Sequence, residues 1–277
     1  MPSTGARVTS VKVAERPGGI RPTEDRIFTT PNAAIVLDGA SQPGSPARSG
    51  GWLAEVIGTR LRDGLAEAPR ADLVGLLRSV IQAAARDFSL TPGQSPSCTV
   101  SMVRWNSEHI DVLALGDSPV IALTTDGKVT EIRDDRLSRV AEVEKKEFRE
   151  SSALFGQDRE EAWRKLVDAQ RKVRNRSGGY WIVEADPEAA ENAVRHTLQV
   201  TDVAAIMLMT DGVAHGVDRY RNPPDWWTAG RIALRDPAAL VDLVHRTEES
   251  DPEGTRWRRS KKHDDKAIVV VKFQPTG

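Results

Sequence analysis

The chain of 277 residues carries 39 lysine and arginine residues against 40 aspartate and glutamate residues, a formal net charge of −1 at pH 7. Nucleic-acid-binding domains usually carry a basic excess that neutralises phosphates, so this balance argues against that class, although a local basic patch stays open. The single cysteine, Cys98, excludes an internal disulfide framework and a multi-cysteine zinc or iron–sulfur site. Because no apolar stretch resembles a signal peptide or a membrane span, we expect a soluble, cytoplasmic protein.

The first predicted elements are strands. Residues 8–13 form a weakly strand-like segment that ends at the turn Pro17-Gly18-Gly19. The apolar run at residues 33–37 predicts a buried strand that stops at Asp38. Residues 40 to 50 are rich in glycine, serine and proline and predict a loop.

Helices and a group of short strands follow. Apolar residues recur at helical spacing over residues 52–61, and again over residues 73–84 behind the capping residue Asp72. Beyond them, four short strand-like runs predict an antiparallel meander, with Asp126-Gly127 as a hairpin signal before the last: residues 99–105, 110–115, 120–124 and 129–132.

The composition changes between Arg133 and Arg176, where charged residues dominate and helical spacing predicts two exposed helices. We interpret residues 1–277 as a single domain, with this segment (about 133–176) as a charged helical flap or insert. Predicted strands and one more helix then complete the chain: strands at residues 180–183, 204–209 and 267–273, and a helix at 238–245 behind Asp236-Pro237. Without regular β-α alternation, this order favours an α+β layered sandwich of antiparallel sheets over a Rossmann-type sheet.

Carboxylates recur where the predicted strands end. Asp38-Gly39 and Asp211-Gly212 follow buried strands, Asp264-Asp265 precedes one, and Glu24-Asp25 lies shortly before the first. Each pair alone predicts an ordinary turn or cap. If the strand ends meet, however, four or more carboxylates converge, and their repulsion is relieved most simply by a divalent cation. All-oxygen ligands favour Mg²⁺ or Mn²⁺ over zinc.

A pair of such ions would support a hydrolytic reaction. Two ions that share a bridging carboxylate lie roughly 3.5–4 Å apart and can activate a water molecule for attack on an electrophile. Phosphate esters are the natural target, because the ions also screen the phosphoryl oxygens. No serine or cysteine nucleophile is then needed.

The order of these motifs resembles that of the metal-dependent protein serine/threonine phosphatases of type 2C (PPM), in their compact bacterial form. No single motif is decisive, but five in the family's order span nearly the whole chain. The matching segments are Thr23-Glu24-Asp25-Arg26, Ile35-Val36-Leu37-Asp38-Gly39-Ala40-Ser41, Leu115-Gly116-Asp117-Ser118, Leu208-Met209-Thr210-Asp211-Gly212 and Asp264-Asp265-Lys266-Ala267-Ile268-Val269-Val270.

The resemblance implies a four-layer α-β-β-α sandwich with two central antiparallel sheets and a site for two Mn²⁺ or Mg²⁺ ions at one edge. It implies that Asp38 bridges both ions and that the carbonyl of Gly39 binds one of them. It also assigns the remaining ligands and supporting residues: Asp211 and Asp264 for the other ion, Glu24 partly through water, Asp25 from outside the ligand shell, and Asp117 for a possible third ion.

The chain departs from the family pattern near the proposed ligands. The family's usual Asp-Gly-His-Gly-Gly continues here as Ala40-Ser41-Gln42, and Pro119 stands where arginine is usual. Four residues after Asp211, where a further aspartate ligand is often found, the chain has His215. This last change leaves the third ion open.

The phosphate-binding arginine of the family is expected at position 20, which is Ile20. Arg21 is one residue away and becomes the candidate, and Arg16 is a second. If neither binds phosphate, substrate binding rests on the metal ions alone.

Other features have alternative readings. His215 and His263 adjoin the proposed site and could act as general acids, although surface or half-buried histidines are commoner. The basic run at residues 256–262 could contact nucleic acid, but a solvated loop is commoner. Trp226-Trp227 could form a partner surface, but core packing is commoner.

Two functions of different kinds remain. The first is a metal-dependent phosphatase that hydrolyses phosphoserine and phosphothreonine in protein substrates. The second is a catalytically weak phosphatase-like module that binds a phosphorylated partner, which Ile20, Pro119 and His215 motivate. Membrane association is not expected, and nucleic-acid binding is the least favoured alternative.

Overall fold

The computed structural model describes residues 6–40, 48–151 and 157–275, and its framework is made of β-strands. In chain order the strands are β1 (Ala6–Arg16), β2 (Arg26–Thr30), β3 (Ala33–Leu37), β4 (Gly39–Ala40), β5 (Ser97–Cys98), β6 (Val100–Trp105), β7 (His109–Leu115), β8 (Val120–Thr124), β9 (Val129–Ile132), β10 (Val194–Gln199), β11 (Val203–Met209) and β12 (Lys266–Pro275).

Helices connect and cover the strands. They are α1 (Gly50–Glu67), α2 (Leu73–Asp87), α3 (Glu142–Glu150), α4 (Gln157–Lys172), α5 (Asp211–His215), α6 (Trp226–Arg235) and α7 (Pro237–Glu249). A π-helical turn, Gly216–Tyr220, continues directly from α5. The predicted caps are confirmed, since the side chain of Asp72 accepts from the Gly75 N–H at the start of α2, and that of Asp236 accepts from the Ala238 N–H at the start of α7.

Two five-stranded antiparallel sheets form the centre. One has the order β1-β12-β11-β8-β9 and the other β10-β7-β6-β3-β2, while β4 and β5 pair separately. The alternation of side chains along a strand explains how both faces are buried. In β3, Ala34 and Val36 belong to the cluster between the sheets, whereas Ile35 and Leu37 belong to a second cluster with α1 and α2.

The sheet that contains β12 is also covered by helices on its outer face. Val269 of β12 packs between the sheets, and Ile268 packs outward against Val213 of α5, Ala229 of α6 and Val244 of α7. The layers therefore run helix, sheet, sheet, helix, and the predicted four-layer sandwich is confirmed. None of the helices in the described ranges is long and apolar enough to cross a lipid bilayer.

The predicted meander is wrong at one connection. Strands β6 and β7 pair with each other, but β8 pairs with β11 and β9 in the opposite sheet. The chain changes sheet at Gly116, whose φ of +86° lies in the left-handed region that glycine adopts at little cost. Apolar alternation specifies a strand but not its partner, so no local pattern marks this crossing.

The strand predicted at residues 180–183 is also wrong. This segment makes only isolated bridges, between Tyr180 and Arg174 and between Val183 and Cys98. The two residues of a buried ion pair flank this segment in the chain: Arg174 Nη2 lies 2.8 Å from Glu184 Oε1. Side-chain contacts, rather than a continuous ladder, hold the backbone here.

Helices α3 and α4 lie in the charged segment and pack on each other. The rings of Phe148 and Trp163 lie 5.4 Å apart, and Phe148 and Leu166 are buried. The two helices occur where sequence periodicity predicts them. The loop predicted at residues 40 to 50 lies mostly outside the described residues, including Ser41 and Gln42, and α1 begins at Gly50.

Candidate metal centre

Two of the predicted acidic residues are brought together by the pairing of β11 with β12. Met209 is opposite Ile268 in this antiparallel pair, so the end of β11 lies beside the start of β12. The Thr210 N–H extends the ladder by donating to the Ala267 carbonyl over 3.0 Å. As a result Asp211, the first residue of α5, and Asp264, just before β12, lie at one edge of the sheet.

Asp38 reaches the same edge from the other sheet, at the end of β3. Its N–H donates to Thr99 Oγ1 over 3.1 Å, and the Thr99 N–H donates to the Asp38 carbonyl over 2.9 Å. Thr99 Oγ1 also shares a hydrogen bond of 2.6 Å with Ser118 Oγ. This chain of contacts connects the Asp38 backbone to the residue that follows Asp117.

The next residue, Gly39, lies against the start of α1. A Cβ atom on it would lie 2.4 Å from the Gly51 N and 2.5 Å from the carbonyl carbon of Gly50. Only glycine allows the strand end to approach the helix this closely. The helix start in turn contacts Glu24, since the Gly51 N–H donates to Glu24 Oε1 over 3.4 Å.

Asp265 anchors the segment that carries Glu24. One of its carboxylate oxygens accepts from the Gly18 N–H over 2.7 Å, and the other accepts from the Glu24 N–H over 2.8 Å. Asp25, only 2% exposed, accepts a hydrogen bond of 2.8 Å from Thr210 Oγ1. The predicted Glu24-Asp25 pair is therefore joined to both strands that carry Asp211 and Asp264.

The electrostatics show that these carboxylates lie close together. Burial, followed by the charges of neighbouring carboxylates, raises the pKa of Asp38 well above its usual value; those neighbours are Asp25, Asp211, Asp264 and Asp117. Burial and the charge of Asp211 raise the pKa of Asp117 to about 7. The pKa of Asp25 is likewise raised by burial, against the opposing hydrogen bond from Thr210.

A basic side chain meets this cluster at Asp264. Lys261 Nζ lies 2.8 Å from Asp264 Oδ1. Burial is the largest single influence and would raise the pKa of Asp264, but the charge and hydrogen bond of Lys261, together with the charges of His215 and Lys266, outweigh it and lower that pKa. Lys261 belongs to the basic run at residues 256–262, whose sequence is compatible with a solvated loop or a nucleic-acid surface.

A second basic residue of that run is internal. Arg259 is 6% exposed, and its Nη1 lies 3.0 Å from Asp251 Oδ2. Its Nε also donates to the Lys262 carbonyl over 2.9 Å. Arg259 therefore holds the loop before β12 in place, which leaves fewer side chains for an outside partner.

The two candidate phosphate-binding residues, Arg21 and Arg16, differ in the contacts of their side chains. Arg21 is exposed, and within the described ranges its guanidinium makes no hydrogen bond or ion pair. Arg16 instead pairs with Asp242 of α7 at 2.5 Å. The side chain of Ile20 is fully exposed. Arg16 is thus engaged elsewhere, and Arg21 is the freer of the two candidates.

The two histidines named beside the site have separate environments. His215 Nε2 lies 3.6 Å from Asp211 Oδ2, and burial lowers the pKa of His215 to about 4. His263 Nδ1 instead shares a hydrogen bond of 3.1 Å with Glu248 Oε2, which Lys266 Nζ also contacts at 2.7 Å. His263 therefore faces a buried network of α7, whereas His215 faces the carboxylates.

The donor set fits divalent cations. Carboxylates from separate parts of the chain converge, their repulsion disfavours full ionisation, and a cation between them would relieve it. Oxygen ligands suit Mg²⁺ and Mn²⁺. Sequence reasoning found the acidic residues but missed three that position them: Thr99, Thr210 and Asp265. Thr210 and Asp265 lie inside the motifs, each next to a candidate ligand, and that position was the only indication of their role.

Comparison with the models of known protein families finds a match. A family model described as Protein phosphatase 2C matches residues 21–244. The comparison with curated proteins finds no match.

Solved structures share the fold at low sequence identity. The Mycobacterium tuberculosis serine/threonine phosphatase PstP/Ppp is 16% identical with a TM-score of 0.59, covering 96% of this chain and 99% of that one. PppA of Pseudomonas aeruginosa is 17% identical with a TM-score of 0.56, covering 98% and 99%. The PstP catalytic domain solved with two manganese ions is 15% identical with a TM-score of 0.59, covering 96% and 98%.

Proposed function

The chain belongs to the protein phosphatase 2C family of metal-dependent serine/threonine phosphatases, and on that premise we propose that it removes phosphate from phosphoserine and phosphothreonine in protein substrates. The observation that carries the proposal is the convergence of Asp38, Asp211 and Asp264 from both sheets, expressed in the raised pKa of Asp38. A cluster of this charge would repel a phosphate ester, so the fit requires Mn²⁺ or Mg²⁺.

We assign the ligands as the family resemblance implies. Asp38 would hold both ions, with the Gly39 carbonyl, and Glu24 partly through water, at one of them. Asp211 and Asp264 would hold the other. Two further carboxylates complete the assignment, Asp25 as a support outside the ligand shell and Asp117 for a possible third ion. The contacts of Glu24 and Asp25 with the Asp265 and Thr210 side chains support these positions.

The bound ions would supply an activated water molecule at neutral pH and screen the charge of the phosphoryl group. The chain's own residues position the carboxylates for this. Thr99 fixes the backbone of Asp38, and Thr210 orients Asp25 by donating its hydroxyl hydrogen. Arg21 is the proposed contact to the substrate phosphate, supported by its exposure and by its lack of an ion pair in the described ranges.

A phosphoprotein suits this surface better than a nucleic acid. Of the basic run at residues 256–262, Arg259 is internal and Lys261 pairs with Asp264, so the run does not present an unbroken cationic face. A cytoplasmic location is part of the proposal, and fractionation of cells followed by detection of the protein would test it.

The test of the function is hydrolysis of p-nitrophenyl phosphate and of a phosphothreonine peptide by the purified chain with Mn²⁺. We expect metal-dependent turnover, reduced about 10²-fold or more in Asp38→Ala and Asp211→Ala. Asp126→Ala is the matched control, because Asp126 is exposed in a hairpin and pairs with Lys128. Absence of turnover at every metal concentration would contradict the proposal.

One observation favours the second candidate function. Position 20 is an exposed isoleucine instead of arginine, and a site that lacks this phosphate contact could bind a phosphorylated partner without efficient turnover. In that case the phosphothreonine peptide would bind the Mn²⁺-loaded protein in calorimetry, and hydrolysis would be absent. Binding together with turnover that Asp38→Ala abolishes would reject this alternative.

A further inference from the structure

We propose that His215 is a nitrogen ligand to an ion held by Asp211 and Asp264, so that this centre prefers Mn²⁺ and other transition ions to Mg²⁺. The inference rests on the proposed function, which places ions at these two carboxylates. One ligand atom from each of Asp211, His215 and Asp264 lies within 4.8 Å of the other two. Ligands of one first-row ion, each about 2.1 Å from it, lie up to about 4.2 Å apart. A small adjustment of side chains therefore closes the set.

Local structure aims the imidazole at the carboxylates. Asp211 and His215 are the first and last residues of α5, and a spacing of four places them on one helix face. Their facing atoms, His215 Nε2 and Asp211 Oδ2, are 3.6 Å apart. That separation is too long for a hydrogen bond and is compatible with an ion that both atoms contact.

The neutral imidazole also has a nitrogen lone pair that can bind a metal ion. The side chain of His215 is 12% exposed, and across residues 6–40, 48–151 and 157–275 it makes no hydrogen bond. Its ring contacts Tyr220 with the centroids 6.2 Å apart. An ion at Asp211 would give this largely enclosed ring the polar partner that it lacks.

The other histidine near the centre is a useful contrast. His263 is one residue before Asp264, but its Nδ1 is occupied by Glu248 Oε2 at 3.1 Å. Its ring stacks on His245 with the centroids 4.1 Å apart. His263 is therefore held away from the carboxylates by α7.

Replacing a carboxylate by imidazole at this position changes the chemistry of the centre. Imidazole is neutral and is a softer donor than carboxylate, so it binds Mn²⁺, Fe²⁺ or Zn²⁺ more readily than Mg²⁺, which favours hard oxygen ligands. The cluster also carries one negative charge fewer than it would with aspartate at position 215, which weakens its attraction for any divalent ion. The nitrogen donor is therefore what disfavours Mg²⁺ relative to a transition ion.

The direct test is pulsed electron paramagnetic resonance of the full chain loaded with Mn²⁺. Nitrogen bound to Mn²⁺ produces a modulation of the electron spin echo from its nuclear spin. We expect this ¹⁴N modulation in the native chain, its loss in His215→Asp, and its retention in His263→Gln. Mn²⁺ that binds to the native chain without nitrogen modulation would overturn the inference, and so would modulation that survives in His215→Asp.

A second measurement tests the metal preference. Calorimetric titration gives the affinities for Mn²⁺ and Mg²⁺ separately, and we expect His215→Asp to reduce the ratio of the two by about tenfold or more, the size of effect that a metal-site partner commonly has. An unchanged ratio would contradict the preference.

The two proposals fail differently. If the native chain binds no Mn²⁺ at all, the proposed function fails together with this inference. If Mn²⁺ binds and supports turnover but carries no nitrogen ligand, only the role of His215 is lost. Because the native chain alone gives the decisive spectrum, the result does not depend on whether a variant folds.

Discussion

The carboxylate of Asp265 accepts a hydrogen bond of 2.8 Å from the backbone N–H of Glu24, a residue 241 positions earlier in the chain. Its other oxygen accepts from the Gly18 N–H. One side chain just before β12 therefore fixes the loop that carries a proposed ligand. Asp265 contacts no substrate and acts as a positioning residue.

Asp265→Ala should weaken metal binding without removing a proposed ligand. The Glu24 segment loses its two contacts with Asp265, and loss of such a partner commonly costs 10–100-fold in metal affinity, so we expect about tenfold or more. Titration calorimetry with Mn²⁺ measures the change. Asp126→Ala should leave the affinity unaltered, and an unaltered affinity in Asp265→Ala itself would contradict the positioning role.

Thr210→Val should reduce stability through Asp25. The Thr210 hydroxyl donates to Asp25 Oδ2 and accepts from the Ala267 N–H, and valine keeps the shape while removing both contacts. Leaving buried partners unsatisfied costs about 1–3 kcal/mol in the free energy of unfolding. Urea unfolding measures it, and Thr9→Val, at an exposed hydroxyl, serves as the control. A change as small as that of the control would show that Thr210 does not hold Asp25.

Asp38→Asn should stabilise the metal-free protein while it abolishes metal-induced stabilisation. The neutral amide removes a charge that burial and neighbouring carboxylates disfavour, and relief of about one pKa unit corresponds to about 1.4 kcal/mol. Thermal unfolding with EDTA and then with Mn²⁺ separates the two effects.

Asp126→Asn supplies the opposite case for that experiment. Hydrogen bonds from Lys128 and Thr124 lower the pKa of Asp126 to about 2, so its charge is favoured and the amide should bring no gain. If Asp38→Asn destabilised the metal-free chain and kept the Mn²⁺ effect, the assignment of Asp38 would be wrong.

The metal-free protein should lose stability as the pH rises from 6.5 to 8.5. Asp117 has a folded pKa of about 7, above its ordinary value of 3.8, so its contribution is fully present below 3.8 and is lost as the pH passes through 7. His215 and His245, with pKa values lowered to about 4, destabilise the fold only as the pH falls below 6.5.

Unfolding by urea at several pH values in EDTA measures this dependence. Asp117→Asn should reduce it, because the amide does not titrate, while Asp25 and Asp38, whose pKa values are also raised, account for the rest. A native chain that gained stability over the same interval would contradict the close grouping of the carboxylates.

The phosphate contact can be assigned by comparing two basic residues. We expect Arg21→Ala to raise KM for the phosphopeptide and to weaken inhibition by inorganic phosphate, because Arg21 has no competing ion pair in the described ranges. Arg16→Ala should have little effect on either constant, since Arg16 pairs with Asp242. If Arg21→Ala left both constants unaltered, a different cation would bind phosphate, and Lys261, which contacts Asp264, would be tested next.

Local sequence was sufficient for many elements of this fold. The apolar runs before Asp38 and Asp211 predicted β3 and β11, and Asp72 and Asp236 marked the starts of α2 and α7. These features depend on side-chain periodicity and on capping within a few residues. Strands β2 and β10 and helix α6 were not predicted. In β10 every side chain is at least partly exposed. Its sequence therefore lacks the run of buried apolar residues by which a strand is recognised.

The acidic residues of the centre and their order along the chain were determined by the sequence alone, since motifs of a few residues record them. Tertiary structure decided which side chains support them and which histidine faces them. Asp265 reaches Glu24 and Thr210 reaches Asp25 only because β12 and β11 pair beside the loop before β2. His215 and His263 look equivalent as neighbours of acidic motifs, but α7 engages one and leaves the other facing Asp211. Contacts between residues distant in the chain depend on how sheets and helices pack, and no local pattern of side chains encodes them.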